Sequence, residues 1–248
     1  MPLLIIAPMN AAADTFGHAG KPLFDPVNLD RPDILVREQP FAFLVARGQL
    51  PATAAVELAR DFPRYPNAGF FPHETNDCGP SVNRLVDELT ARPFADAIGI
   101  RLGIPNLGQH PSLVTICRSL NLRHGTIHTD SKSKVATALV YLNESWPDIS
   151  EGCLRFLNRI DDIDDLAVPE VRPLYGTLVA FRRADNSFHG HLPHEGERRV
   201  IQVAWLTSEE EKLRKTRRGR FARLFKKLFA GIDRRLGAGR DRSAAHRD

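Results

Sequence analysis

Two short stretches of this chain hold residues whose types and spacing can do chemistry. One is His128-Thr129-Asp130. The other is Ser187-Phe188-His189-Gly190, followed closely by Arg198 and Arg199. A His and an Asp two apart on a strand point to the same face, and a second His from a distant strand would complete a three-ligand set. Two imidazoles and one carboxylate on one side of an ion, with the other side open, suit non-haem Fe(II). His189, His191 and His194 crowd one stretch. His191 would share a strand face with His189, so either residue can supply the third ligand. Taken alone, H-x-D recurs by chance and marks a surface loop more often than a site.

The surrounding elements give the motif its context. Leu113 to Leu122 alternates imperfectly and reads as a strand, and Arg123 to Thr126 reads as a turn into His128. Val135 to Leu142 is a Val/Leu/Ala/Thr-rich run, a buried strand. Cys153 to Leu157, Gly176 to Phe181 and Arg198 to Trp205 are further strands. Short strands with turn signals at near-regular spacing fit a barrel or jelly roll. Upstream, Pro40 to Ala46 is a strand or packed segment, and Pro51 opens a helix that Phe62-Pro63 ends. Residues 64–79 carry Gly, Pro and Asn-Asp turn signals and read as loop. Ser81 is expected to cap the next helix, whose Val82, Leu85, Val86 and Leu89 form a core-facing stripe. Arg92-Pro93 breaks that helix, and 94–100 begins another. His73 and His110 fall in solvated loops, as does the acidic run with Asp161, Asp162, Asp164 and Asp165. That run lacks the Gly and terminal Glu of a calcium loop.

The ordered set of His128-x-Asp130, Tyr141-Leu-Asn143, Trp146, Gly152, Ser187-Phe-His189-Gly190 and the Arg-bearing last strand resembles the Fe(II)- and 2-oxoglutarate-dependent oxygenases. Within them it is most similar to the prolyl-hydroxylase-like branch, over roughly Leu113 to Thr207. The resemblance implies a mainly β fold, a double-stranded β-helix (jelly roll) core, with N-terminal helices packed outside and a basic C-terminal helix. The implied division is a helical and loop-rich support region over 1–112, the catalytic core over 113–211 and a basic tail over 212–248.

The resemblance also selects among the ligands. It implies iron held by His128, Asp130 and His189, because His189 occupies the S-x-H-G position. It implies Arg199 as the partner of the distal carboxylate of 2-oxoglutarate, a bidentate role suited to a guanidinium. In that strand register Arg198 faces solvent. Relatives place a Tyr just before the Tyr-Leu-Asn triplet, where this chain has Val140, and alternation sends Tyr141 to the other face. Val203 replaces a Thr common on the Arg-bearing strand, which leaves Thr137 and Ser187 as candidate hydroxyl partners. The implied cofactors are Fe(II) and 2-oxoglutarate, with L-ascorbate as an optional third. The implied reaction takes O2, releases succinate and CO2, and hydroxylates a substrate the sequence does not identify, peptidyl proline being the first analogy. The alternative is a cupin-like metal- or sugar-binding jelly roll without oxygenase activity, since fold alone does not fix function.

Composition sets the remaining bounds. The 248 residues and an apolar share of 42% allow a full core. Three cysteines form neither a zinc pattern nor a disulfide framework, which points to a reducing, cytoplasmic setting. Met1 to Pro8 is apolar but lacks a positive leading region, so a secretory signal is not expected. The net charge of +4 divides unevenly: from Lys212 to Asp248, four Lys and ten Arg face three Asp, +11, which leaves −7 for the rest. A body of that sign argues against a nucleic-acid binder. Phe221, Leu224, Phe225, Leu228, Phe229, Ile232 and Leu236 form one helical stripe flanked by Arg and Lys. That pattern suits an anionic membrane surface and hence peripheral attachment, and equally a stripe that docks on the barrel or on a partner.

Overall fold

In the computed structural model, which describes residues 21–218, two antiparallel sheets face each other and helices cover one side. The stripe from Phe221 to Leu236 and everything beyond it lie outside the described residues. So does the leading run of 1–20.

The strands are Leu35–Arg37 (β1), Phe43–Ala46 (β2), Phe70–Pro72 (β3), Ser112–Leu120 (β4), Lys134–Tyr141 (β5), Arg155–Phe156 (β6), Leu178–Arg182 (β7), His189–Gly190 (β8) and Gly196–Leu206 (β9). Seven of them form one sheet in the order β1-β2-β7-β5-β9-β4-β3, and β6 pairs β8 in a smaller second sheet. All the pairings are antiparallel. The fold is the expected mainly β jelly roll with flanking helices.

The helices Ala55–Asp61 (α1), Pro80–Thr90 (α2) and Arg92–Leu102 (α3) lie on one face of the large sheet. The expected stripe of Val82, Leu85, Val86 and Leu89 is buried. It packs with Ala136, Ala138, Val140, Ile201, Val203 and Trp205 from the sheet. Phe94 stacks on Trp205 with ring centroids 5.9 Å apart. The opposite face of the same strands presents Leu139, Tyr141, Val179, Phe181 and Val200 to the small sheet, where Phe43 and Phe156 meet at 4.4 Å. Both faces of the large sheet are therefore buried. That explains why β5 and β9 read as nearly continuous apolar runs.

Two local expectations differ from the structure. The stretch 64–79 contains an edge strand, β3, paired with β4 at Phe70↔Cys117. Its three residues are too short to show a period among the flanking Gly and Pro. Together with β1 and β2 it means that the region before 113 contributes strands to the main sheet as well as support helices. Ser81 does not cap α2. Pro80 starts the helix one residue earlier, with Gly79 at the cap position. The Ser81 N–H and hydroxyl instead both donate to Asp61 Oδ2, at 2.9 and 2.8 Å. Residues 209–218 are helical, which is the described beginning of the basic tail. No helix among the described residues is long and apolar enough to cross a membrane.

Candidate active site

The site lies on the inner face, between the two sheets. His128 sits on an isolated bridge opposite His189, with reciprocal backbone hydrogen bonds of 3.0 Å, and Asp130 follows in irregular chain. The H-x-D pair is thus not on a continuous strand, as the alternation argument assumed. Gly125 makes the approach possible. Its φ of +110° suits a residue without a side chain, and a Cβ there would stand 2.4 Å from the His191 carbonyl oxygen.

The structure brings His128, Asp130 and His189 together, with one ligand atom from each all within 4.8 Å of one another. His191, the rival third ligand, lines the same cavity but is not in that group. Its Nδ1 lies 2.8 Å from the Leu192 carbonyl. Burial first, and Arg198 second, depress its imidazole to about 4. His194 packs against Trp146 and His124 lies against Asn121. His73 and His110 are half-buried and hydrogen-bonded to Asn83 and the Leu206 carbonyl, so neither is a free loop side chain.

Two backbone carbonyls set the imidazole tautomers. His128 Nδ1 donates to Thr126 O and His189 Nδ1 to Ser187 O, both at 2.9 Å. A carbonyl only accepts, so each Nδ1 carries a proton, and Nε2 is the nitrogen of each ring left to ligate a metal. Burial, only partly offset by Asp130, holds the His189 imidazole down at about 4. It is neutral and ready to coordinate at physiological pH. Asp130 is buried too. Burial raises its carboxyl, but the neighbouring Lys134 and His189 and the hydrogen bonds from Lys134 and Thr137 outweigh that and leave it lowered. Thr137, a candidate partner for a ligand, is occupied here: its hydroxyl donates to Asp130 Oδ2 at 2.5 Å. Ser187 is also turned inward, donating to Ala184 O at 2.7 Å.

Of the two adjacent arginines, Arg198 lies in the cavity and Arg199 does not. The cavity of about 390 Å³ is lined by His128, Asp130, Lys134, His189, Arg198 and Gln202, among others. Arg198 is 3% exposed. Its Nε donates to Gly152 O at 2.8 Å and its Nη2 to the Tyr141 hydroxyl at 3.1 Å, and the guanidinium carbon lies 5.0 Å from the Tyr141 ring centre. Among the described residues, no carboxylate lies within salt-bridge distance of it. Arg199 points to the other side of β9, pairs with Glu197 and lines a separate surface pocket with Trp146 and His194. The expected register was off by one residue, and Tyr141 was assigned away from the site for the same reason. With both faces of β9 buried, apolar content did not distinguish them. The polar residues would have: Arg198 and Gln202 share one face, and Thr137 and Tyr141 share the facing positions of β5.

Residues 117–207 match the sequence profile of the 2OG-Fe(II) oxygenase superfamily. That segment contains the triad and Arg198. Among curated proteins no relative was found. Similar solved structures include a prolyl-4-hydroxylase from Pseudomonas putida, at 18% identity and TM-score 0.49, covering 66% of this chain and 92% of that one. Another is a prolyl hydroxylase from Trichoplax adhaerens in complex with a hypoxia inducible factor peptide fragment, at 17% identity and TM-score 0.45, covering 69% and 86%. A third is a viral collagen prolyl hydroxylase from Paramecium Bursaria Chlorella virus-1 with 2OG, at 15% identity and TM-score 0.44, covering 66% and 94%. The profile match identifies an oxygenase domain that works with Fe(II) and 2-oxoglutarate, and the donor set suits both. Two imidazoles and a carboxylate fit the ion, while a buried guanidinium with no counter-charge among the described residues fits a carboxylate of the co-substrate.

Proposed function

We propose that this chain, whose residues 117–207 form a 2OG-Fe(II) oxygenase domain, hydroxylates an amino-acid side chain of a peptide, proline being the first candidate. When bound, Fe(II) and 2-oxoglutarate together supply the oxidant for an unactivated C–H bond, with succinate and CO2 as the co-products. The chain supplies placement and charge around them. His128 Nε2, His189 Nε2 and one Asp130 oxygen hold the metal, and the Thr126 and Ser187 carbonyls keep both rings in the required tautomer. Arg198 takes the far carboxylate of 2-oxoglutarate, aided by the Tyr141 hydroxyl. That hydroxyl accepts from Arg198 and still has its own proton to give. Leu139 and Leu154 line the same space and keep it dry.

The single observation that carries the reading is the buried, uncompensated Arg198 in one cavity with the His-Asp-His cluster. A sugar-binding or purely structural jelly roll has no use for such a charge. The peptidyl reading rests on the prolyl-hydroxylase-like family pattern and on the mouth. There His128 reaches solvent beside Phe70, Leu120, Arg123 and His124, with room for a side chain to enter. The test is incubation with Fe(II), 2-oxoglutarate, O2 and a library of proline-containing peptides. The expected result is gain of one oxygen by some peptides with equimolar succinate. Turnover of 2-oxoglutarate with no peptide oxidised removes the peptidyl reading. Absence of both 2-oxoglutarate binding and turnover removes the dioxygenase reading itself.

A further inference from the structure

One side of the candidate metal site carries more positive charge than the ligand roles explain. Lys134 is nearly buried, lines the cavity together with Arg198, and places Nζ 2.7 Å from Asp130 Oδ1. Thr137 holds Oδ2. Arg183 donates from Nε to the Asp130 carbonyl at 3.3 Å and is itself paired with Asp185. Lys215, from the helical residues 209–218, donates to Ser131 Oγ at 2.9 Å. Its ammonium is depressed by burial and then by Lys134. One cation, Lys134, therefore bonds the carboxylate that the proposed function assigns to the metal, and two more lie against the backbone and neighbour of that residue; among the described residues Asp130 and Asp185 are the acids bonded to them.

A divalent ion held by His128, Asp130 and His189 adds two more charges to this group. Asp130 must then serve both the ion and the ammonium. Like charges a few ångströms apart in a water-poor cavity repel strongly. A dianionic ligand reverses the balance. With one carboxylate of 2-oxoglutarate at Arg198, the other comes to the metal end of the cavity, where it offsets the ion and Lys134 together.

We propose that Lys134 couples the two binding events: its charge weakens metal binding alone and is compensated when 2-oxoglutarate is present, so metal and co-substrate each bind better with the other. The proposal rests on the dioxygenase reading above and extends it. By linkage the coupling is the same whichever ligand is varied. Lys134 is a positioning residue in this scheme. It touches Asp130, and its charge sets how the site responds to an anion.

The test uses the full chain and redox-inert Mn(II), with affinity measured by calorimetry with and without 2-oxoglutarate. In the unmodified protein 2-oxoglutarate should tighten Mn(II) binding by about tenfold or more, within the usual range of coupling. In Lys134→Met, Mn(II) alone should bind more tightly than in the unmodified protein, and the tightening by 2-oxoglutarate should fall to about threefold or less. Lys134→Arg, which keeps the charge, should keep most of the coupling. A lysine that merely braces the 130–134 turn predicts the opposite: Lys134→Met binds Mn(II) more weakly and retains the coupling, and that result overturns the proposal. If Lys134→Met does not fold, the unmodified protein still decides, because independent binding of Mn(II) and 2-oxoglutarate there overturns it as well. Failure to bind Mn(II) at all, or binding that His189→Ala does not abolish, instead removes the metal-site reading on which it stands.

Discussion

Among the described residues two arginines are buried, and they are satisfied differently. Arg155 on β6 is 6% exposed and meets Asp164 at 2.5 Å and Glu170 at 3.0 Å, with the Ile163 carbonyl as a further acceptor. Its charge is cancelled within the 155–170 segment. Arg198 on β9 is buried as deeply but, among the described residues, meets a carbonyl, a hydroxyl and an aromatic ring and no acid. Holding a cation out of water without a counter-charge costs several kcal/mol. A fold that bears that cost is built around an anion it does not itself contain. Arg155 belongs to the architecture, while the proposed function gives Arg198 to a ligand.

The strongest way to break this comparison is to remove the Arg198 charge and keep its bulk. Arg198→Met should weaken 2-oxoglutarate binding by about 2–5 kcal/mol, much of it from leaving a ligand carboxylate unpaired. The same change should leave the ligand-free protein as stable as before or up to about 1–4 kcal/mol more stable, since an uncompensated charge is gone. Calorimetric titration and urea unfolding read the two effects separately. Arg199→Ala, one residue away on the other face, should leave 2-oxoglutarate affinity unchanged. Loss of affinity in Arg199→Ala, or its retention in Arg198→Met, would reverse the assignment.

The complementary change at Arg155 should invert the pattern. Arg155→Ala strands Glu170, which is largely shielded, and frees Asp164, which is open to solvent. The expected loss is roughly 3 kcal/mol of folding stability, the low end for a broken buried pair because one partner rehydrates. The folded fraction should bind 2-oxoglutarate as the parent does. Urea unfolding followed by titration below the transition checks both halves.

The same contrast explains what was legible in the sequence. The core strands from β4 onward and the helical stripe on α2 follow from residue pattern, while the choice of His189 over His191 beside His128 and Asp130 came from the family resemblance, because the residue pattern alone allowed either. The face assignment of β9 was not legible from apolar content. Val200 and Ile201 are equally buried, one toward the small sheet and the other toward the helices. One residue of register moves every side chain across the sheet, and that misplaced both Arg199 and Tyr141. Neither the Asp130 contacts with Lys134 and Thr137 nor edge strand β3 has a local signal. The former depend on how a loop closes over a strand, and the latter borrows its pairing from β4.

The finest test of the comparison concerns Tyr141, the neutral partner that Arg198 has in place of an acid. Its hydroxyl oxygen accepts from Arg198 Nη2, which leaves the phenolic proton available to a ligand carboxylate. Burial raises its ionisation above the ordinary value of 10, opposed by the Arg198 charge. The proton is therefore in place at every pH below about 10. A phenol whose folded pKa is raised contributes stability below the unfolded value, and that contribution is lost only as the pH rises past it. Tyr141→Phe removes one hydrogen bond to a ligand and keeps the ring under the guanidinium. It should weaken 2-oxoglutarate binding by about 1 kcal/mol, less than the loss of Arg198. The ratio of parent to variant affinity should stay flat from neutral pH to about 10. A ratio that collapses well below that value would mean the hydroxyl ionises there, and Arg198 would then have its counter-charge within the protein after all.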